Sequence, residues 1–202
     1  MRVSIALVAA LTACAPALPA PVEAAASAVV GQPAPDFTLA DLDGASFTLS
    51  DKLGSTVVLE WFNPDCPFVK YAYDEGPLGS FAGRWIGEGV VVAAINSGKA
   101  GKQGAGVERN RAARAAWSMA APVLLDEAGE VGRAYGAKTT PQLVVINPAG
   151  TLVYNGALDN APLGKVSGDA HRVFADEVLT QVTRDGTAPY GHQKPYGCSV
   201  KY

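Results

Sequence analysis

The sequence predicts an α/β domain built on a mixed sheet. Two near-continuous apolar runs of strand length, TVVLEWF at 56–62 and GVVVAAIN at 89–96, suit strands covered on both faces. Helical stretches separate the strands, and a short alternating hairpin lies at each end of the series. With 202 residues, 49% of them hydrophobic and 17% charged, the chain can bury one domain-sized core.

The first residues read as a targeting segment. Met1 and Arg2 are followed by VSIALVAALTA, an apolar run too short to span a bilayer permanently. Two cleavage readings fit. LTAC at 11–14 resembles a bacterial lipobox, in which Cys14 is acylated and becomes the mature N-terminus. Ordinary cleavage at a small-x-small site, Ala24–Ala26 or Ala26–Ala28, fits as well. Both readings send the protein out of the cytoplasm, to a bacterial periplasm or onto a membrane by a lipid anchor. The expected division is a signal segment and Pro/Ala tether over 1–28, a folded domain over 29–183, and a tail over 184–202.

Within the domain, GQPAPDFTLADLDGASFTLSD gives two alternating segments, near Phe37–Leu39 and Ser46–Leu49, joined through the turn signal DLDG. After the 56–62 strand, Pro67 suits a first helical position, and that helix breaks at Gly76–Pro77. SGKAGKQGAG reads as a flexible loop before a helix through VERNRAARAAW. PVLLDE is a short strand and turn, AGEVGRAYG a helix, and QLVVIN and TLVYNG a strand pair joined by PAG. A last amphipathic helix is expected from about Asp169 to Val182. The tail RDGTAPYGHQKPYGCSVKY has no periodicity.

The formal net charge of −3 and the lack of any dominant Lys/Arg cluster exclude nucleic acid and anionic membrane surfaces as electrostatic partners. Arg109, Arg111 and Arg114 read as one solvated helix face. No cofactor or resident metal is expected, since the only histidines, His171 and His192, do not stand at ligand spacing from Cys66.

The chemistry centres on the cysteines. Cys66 stands in NPDCP, just ahead of a helix, where unsatisfied backbone N–H groups and the helix dipole favour a thiolate. Lys70, one turn on, should help, and Asp65 should oppose unless its carboxylate caps the helix. With Cys14 in the leader, Cys66 and Cys198 remain to pair in an oxidising compartment. Glu60 lies inside a strand of core character, where burial should raise its pKa. Pro141, directly before a strand, marks an X-Pro bond that could be cis.

The order of hairpin, strand, cysteine at a helix start, strand, helix, Thr-Pro, strand pair and final helix resembles the thioredoxin superfold. GQPAPDFTLADLDGASFTLSD, NPDCPFVK, VVAAINS, VLLDEAGEVGRAYGAKTTPQ and GTLVYNGALDN resemble the alkyl hydroperoxide reductase/thiol-specific antioxidant branch, which includes peroxiredoxins and redoxins. YGCSVKY is similar to the ending of a bacterial peroxiredoxin-like subgroup. The resemblance implies a thioredoxin-like domain with Cys66 as nucleophile and Glu60 as a buried proton relay. It further implies substrate contact at Thr140, Pro141 and Pro67, and Cys198 as a possible resolving thiol. The chain departs from the pattern at three places. Val69 stands where a C-x-x-C has its second cysteine. Asn63 replaces the Thr or Ser that peroxiredoxins carry three residues before the nucleophile, and Leu59 the Pro seven before it, which argues against fast peroxidase chemistry.

Three functions fit these residues. In the first, Cys66 attacks a peroxide or disulfide, Cys198 swings in to resolve the product, and a thiol reductant restores the pair. In the second, Cys66–Cys198 is a permanent staple of a binding protein, contributing roughly 4–5 kcal/mol in the chain-entropy model. In the third, the domain handles copper.

Overall fold

The computed structural model describes residues 27–202; Cys14 and the rest of the expected leader before residue 27 lie outside them. Strands β1 (Thr38–Asp41) and β2 (Ser46–Thr48) form the expected antiparallel hairpin. Its turn is fixed by the Asp41 carboxylate, which accepts the backbone N–H groups of Asp43 and Ala45, and by Gly44 at φ +85°.

The sheet centres on β3 (Val57–Trp61). It runs parallel to β4 (Val91–Asn96), which runs parallel to β5 (Val123–Leu125). On its other side β3 pairs antiparallel with β7 (Gln142–Ile146), and β7 with β8 (Leu152–Gly156). β1 closes against β5, giving the seven-stranded mixed order β2-β1-β5-β4-β3-β7-β8. The apolar run of β3 follows from burial on both faces. Val57, Leu59 and Trp61 enter one core with Ile95, Tyr135 and Val144, while Val58 and Phe62 enter the other with Val69, Phe81 and Leu179. Each such side chain contributes about 1.5–3 kcal/mol of apolar transfer. Glu60 shares the second face.

The helices are α1 (Pro67–Asp74), α2 (Leu78–Gly87), α3 (Val107–Ala116), α4 (Glu130–Ala134) and α5 (Phe174–Asp185). α1 ends before Gly76–Pro77, as proline geometry requires. Three sequence expectations are corrected. α5 begins at Phe174 rather than Asp169: residues 168–170 form a single tight turn. Between that turn and the helix, Arg172 is drawn into extended pairing by backbone and side-chain bonds with Asn160. The glycine-rich loop after β4 is laced down rather than free, because Asn96 and Asn110 both donate side-chain amides to the Gly104 carbonyl. The tail, which shows no periodicity in sequence, carries a strand. β9 (Cys198–Ser199) pairs antiparallel with β6 (Thr139–Thr140) in a separate two-stranded sheet.

Candidate active site

Cys66 is the N-cap residue of α1, in extended backbone geometry with Pro67 at the first helical position. Its carbonyl accepts the first helical bond, from the Lys70 N–H at 2.9 Å. The preceding loop holds it there: the Asn63 side chain accepts the Asp65 N–H at 2.8 Å, and the Asn63 carbonyl accepts the Cys66 N–H at 3.1 Å. The Asn63 amide donates to the Gln103 carbonyl, and a side chain at Gly104 would collide with it. Where the family resemblance expects a hydroxyl, this chain has a loop clamp.

Asp65 does not cap the helix. Its carboxylate takes two bonds from Arg109, from Nε at 2.9 Å and Nη2 at 2.7 Å, and Nη2 also reaches the Pro64 carbonyl at 3.0 Å. This ion pair neutralises the acid that would otherwise oppose a Cys66 thiolate. The arginine series is therefore not one solvated face: Arg111 donates to the Leu42 carbonyl at 2.5 Å, and Arg114 pairs with Asp43 at 2.7 Å.

The Cys66 thiol is wholly buried, 0% exposed, and donates to the Thr140 carbonyl at 3.1 Å. The Thr140–Pro141 bond is cis. β6 and β9 put Cys198 in register with Thr140, so the two cysteines meet at one residue although 131 residues separate them in the chain. Burial pushes the Cys66 pKa up. Hydrogen bonds from the Cys198 thiol, the Thr140 hydroxyl and the Val69 and Cys198 backbone N–H groups outweigh it, and the net shift is downward. The Thr140 hydroxyl is buried with no partner while Cys66 is a thiol, so thiolate formation gives it one. Cys198 moves the other way, pushed up to about 11 by burial and by its bond to Cys66. Lys70 is exposed and takes no part in this balance, which corrects the expectation that it helps. Pro67 is exposed beside Cys66.

Glu60 is buried at 4% exposure and accepts the Tyr73 hydroxyl at 2.8 Å, its second oxygen having no partner. Burial lifts its pKa to about 8, against a smaller opposing effect of the Tyr73 bond. Tyr73, on α1, is stacked on Trp117 with centroids 4.8 Å apart. Neither Tyr73 nor Arg109 has a sequence signal that assigns it to the site; each reaches it from a separate element.

His171 bonds the buried Asp159 carboxylate at 3.1 Å, and His192 contacts the Asn155 carbonyl at 2.6 Å. Among the described residues, no group of three or more His, Cys, Asp or Glu converges as metal ligands.

The family described as AhpC/TSA matches residues 30–155. A hypothetical protein from Sinorhizobium meliloti 1021 is 30% identical, with a TM-score of 0.77 over 87% of this chain and 96% of its own. An uncharacterized conserved protein from Geobacillus kaustophilus is 28% identical, with a TM-score of 0.76 over 86% of this chain and 92% of its own. A protein from Chlorobium tepidum assigned as the thiol:disulfide interchange protein DsbE is 26% identical, with a TM-score of 0.52 over 64% of this chain and 85% of its own. No curated protein matches the chain. The fold is thioredoxin-like, with the mixed sheet and N-terminal hairpin that the sequence predicts.

Proposed function

The chain belongs to the AhpC/TSA family, and from that premise we propose that it is an exported thiol-dependent oxidoreductase with Cys66 as nucleophile and Cys198 as resolving thiol. The observation that carries this reading is the meeting of the two cysteines at Thr140, whose carbonyl accepts the Cys66 thiol and which pairs in register with Cys198, with opposite shifts in the acidity of the two thiols. The thiol with the lowered pKa attacks; the thiol with the raised pKa holds its proton until it is needed. The family and the likeness to a thiol:disulfide interchange protein support thiol-dependent redox chemistry.

With a hydroperoxide, the Cys66 thiolate attacks one oxygen, the O–O bond breaks, and an alcohol or water leaves with a proton. Cys198 then attacks the sulfenic sulfur; an S–S bond forms, the S–O bond breaks, and water departs carrying the Cys198 proton. With a disulfide, Cys66 forms a mixed disulfide and releases one thiolate, and Cys198 displaces the second. Either route leaves Cys66–Cys198 oxidised by two electrons, and an external thiol returns them. Glu60, uncharged over much of the neutral range, is the proton reservoir for these steps. Thr140, whose carbonyl accepts the Cys66 thiol, Pro141 after it and Pro67 next to Cys66 are the substrate contacts of this reading.

A permanent staple explains less. The tail is already fastened on both sides of Cys198 by the Tyr196 hydroxyl on Asp159, the Val200 N–H on the Lys138 carbonyl and the Tyr202 hydroxyl on the Ala137 carbonyl. Export rests on the N-terminal segment, and acylation of Cys14 on the LTAC pattern. The reading is tested by turnover of peroxide and of a small disulfide in the wild type and Cys66→Ser. Loss of both activities in a folded variant supports it; retention of either contradicts it.

A further inference from the structure

We propose that the C-terminal strand is a built-in occupant of the backbone edge beside Cys66 and restricts the acceptors of this protein to small oxidants, closing it to polypeptide disulfides. This rests on the redox reading given above and deepens it by naming the substrate class.

An extended polypeptide that offers a cysteine to Cys66 needs backbone pairing along the edge that carries the thiol's neighbours. That edge is β6, and it is taken. β9 lies on its Cys66 side, with Cys198 in register with Thr140 and Ser199 with Thr139. Cys198 thus stands where the cysteine of an incoming chain would stand.

The strand is seated along glycines that leave its path clear. Gly197 sits at φ +130°, and a Cβ there would collide with the Thr140 carbonyl, so only glycine lets the tail lie flat on the Thr140–Pro141 backbone. Upstream, a side chain at Gly156 would strike the Gln193 backbone, which holds the Ala157 N–H at 3.0 Å. Downstream, Gly129 and Gly132 leave room for the Tyr202 ring, over which the Arg133 guanidinium lies at 4.6 Å. Glycine at these four positions matches the path of the tail from Gln193 to Tyr202. A peroxide or small disulfide needs only a gap of a few atoms at Cys198 to reach Cys66. A polypeptide needs the whole strand to leave.

The test uses the reduced full chain, exposed in separate reactions to hydrogen peroxide, oxidised glutathione and an unstructured peptide containing a disulfide. Modification of Cys66 is followed by peptide mass spectrometry. In the wild type, one or both small oxidants should modify Cys66 far faster than the peptide does, and the two small-molecule reactions decide between O–O and S–S chemistry. Gly197→Ala, which removes the seat of the strand, should raise the peptide rate relative to the small-oxidant rate by about tenfold, as loss of one or two ladder bonds implies. Should that variant not fold, Tyr202→Ala loosens the same strand from its far end and should move the ratio the same way. Equal rates for peptide and small oxidants in the wild type would overturn the inference while leaving the redox reading intact. No modification of Cys66 by any of the three would overturn the redox reading itself.

Discussion

The two halves of the site are held by opposite means. Cys66 is fixed from nearby: its loop folds on Asn63, its carbonyl starts α1, and Arg109 ties Asp65 and Pro64 to α3. Cys198 has no helix and belongs to no large sheet. It is held by a two-residue strand and by three tyrosines, Tyr190, Tyr196 and Tyr202, which anchor the tail to Glu177, Asp159 and the Ala137 carbonyl. One thiol therefore sits on a rigid element of the core. The other rides on a two-residue strand outside the seven-stranded sheet. In a two-cysteine cycle this division suits a fixed nucleophile and a movable resolver.

The largest effects fall on the two cysteines. Cys66→Ser should remove all thiol-dependent turnover while circular dichroism and melting temperature stay near those of the wild type. Cys198→Ser should leave one oxidising equivalent trapped on Cys66, as a sulfenic acid or a mixed disulfide visible by mass, and stop multiple turnover. Cys198→Ala should also move the Cys66 thiolate midpoint upward, because it removes the Cys198 thiol, one of the donors that lower it, without putting another donor in its place. Thiolate absorbance against pH reads this, and an unchanged midpoint would separate the two cysteines.

A smaller effect belongs to Glu60. Its folded pKa, about 8, lies above the ordinary 4.5. Below pH 4.5 both folded and unfolded chains hold the proton, so the buried neutral carboxyl costs nothing extra. As pH rises from there to about 8, the unfolded chain ionises and the folded chain does not, so stability falls by about 1.4 kcal/mol per pH unit, then levels off. Glu60→Gln should flatten that slope in denaturant titrations between pH 5 and 8. The same variant should slow thiol exchange; equal rates would leave Glu60 without a part in proton transfer.

The smallest effect lies on the movable half. Tyr202→Ala removes the bond to Ala137 and the cation–π contact with Arg133, together about 1–2 kcal/mol. It should speed amide exchange across 197–202 and leave β3 and β7 protected. Protection lost throughout the sheet would mean that the tail is part of the core.

The same contrast governs what could be read from the sequence. Local signals carried the fixed half: the doubly apolar run of β3, the DLDG turn, Pro67 opening α1 and Gly76–Pro77 ending it. The contacts that shape the site's electrostatics were not legible, because each joins residues far apart in the chain. Arg109, which pairs with Asp65, reads in sequence as one more charge on a solvated helix, and nothing in the sequence ties Tyr73 to Glu60. α5 was expected five residues early because Asp169–Val173 continues a helical composition; the backbone bonds between Asn160 and Arg172 override it. The tail strand gave no periodic signal, since two residues are too few to alternate and their pairing with β6 is entirely tertiary.

The measurement that bears most directly on the whole account is the reduction potential of the Cys66–Cys198 pair, titrated in glutathione and dithiothreitol buffers with the thiols counted by mass. A catalytic pair should equilibrate within the range of exchange proteins, roughly −120 to −270 mV. A bridge that stays closed at about −300 mV and below would make it a structural staple and contradict the account.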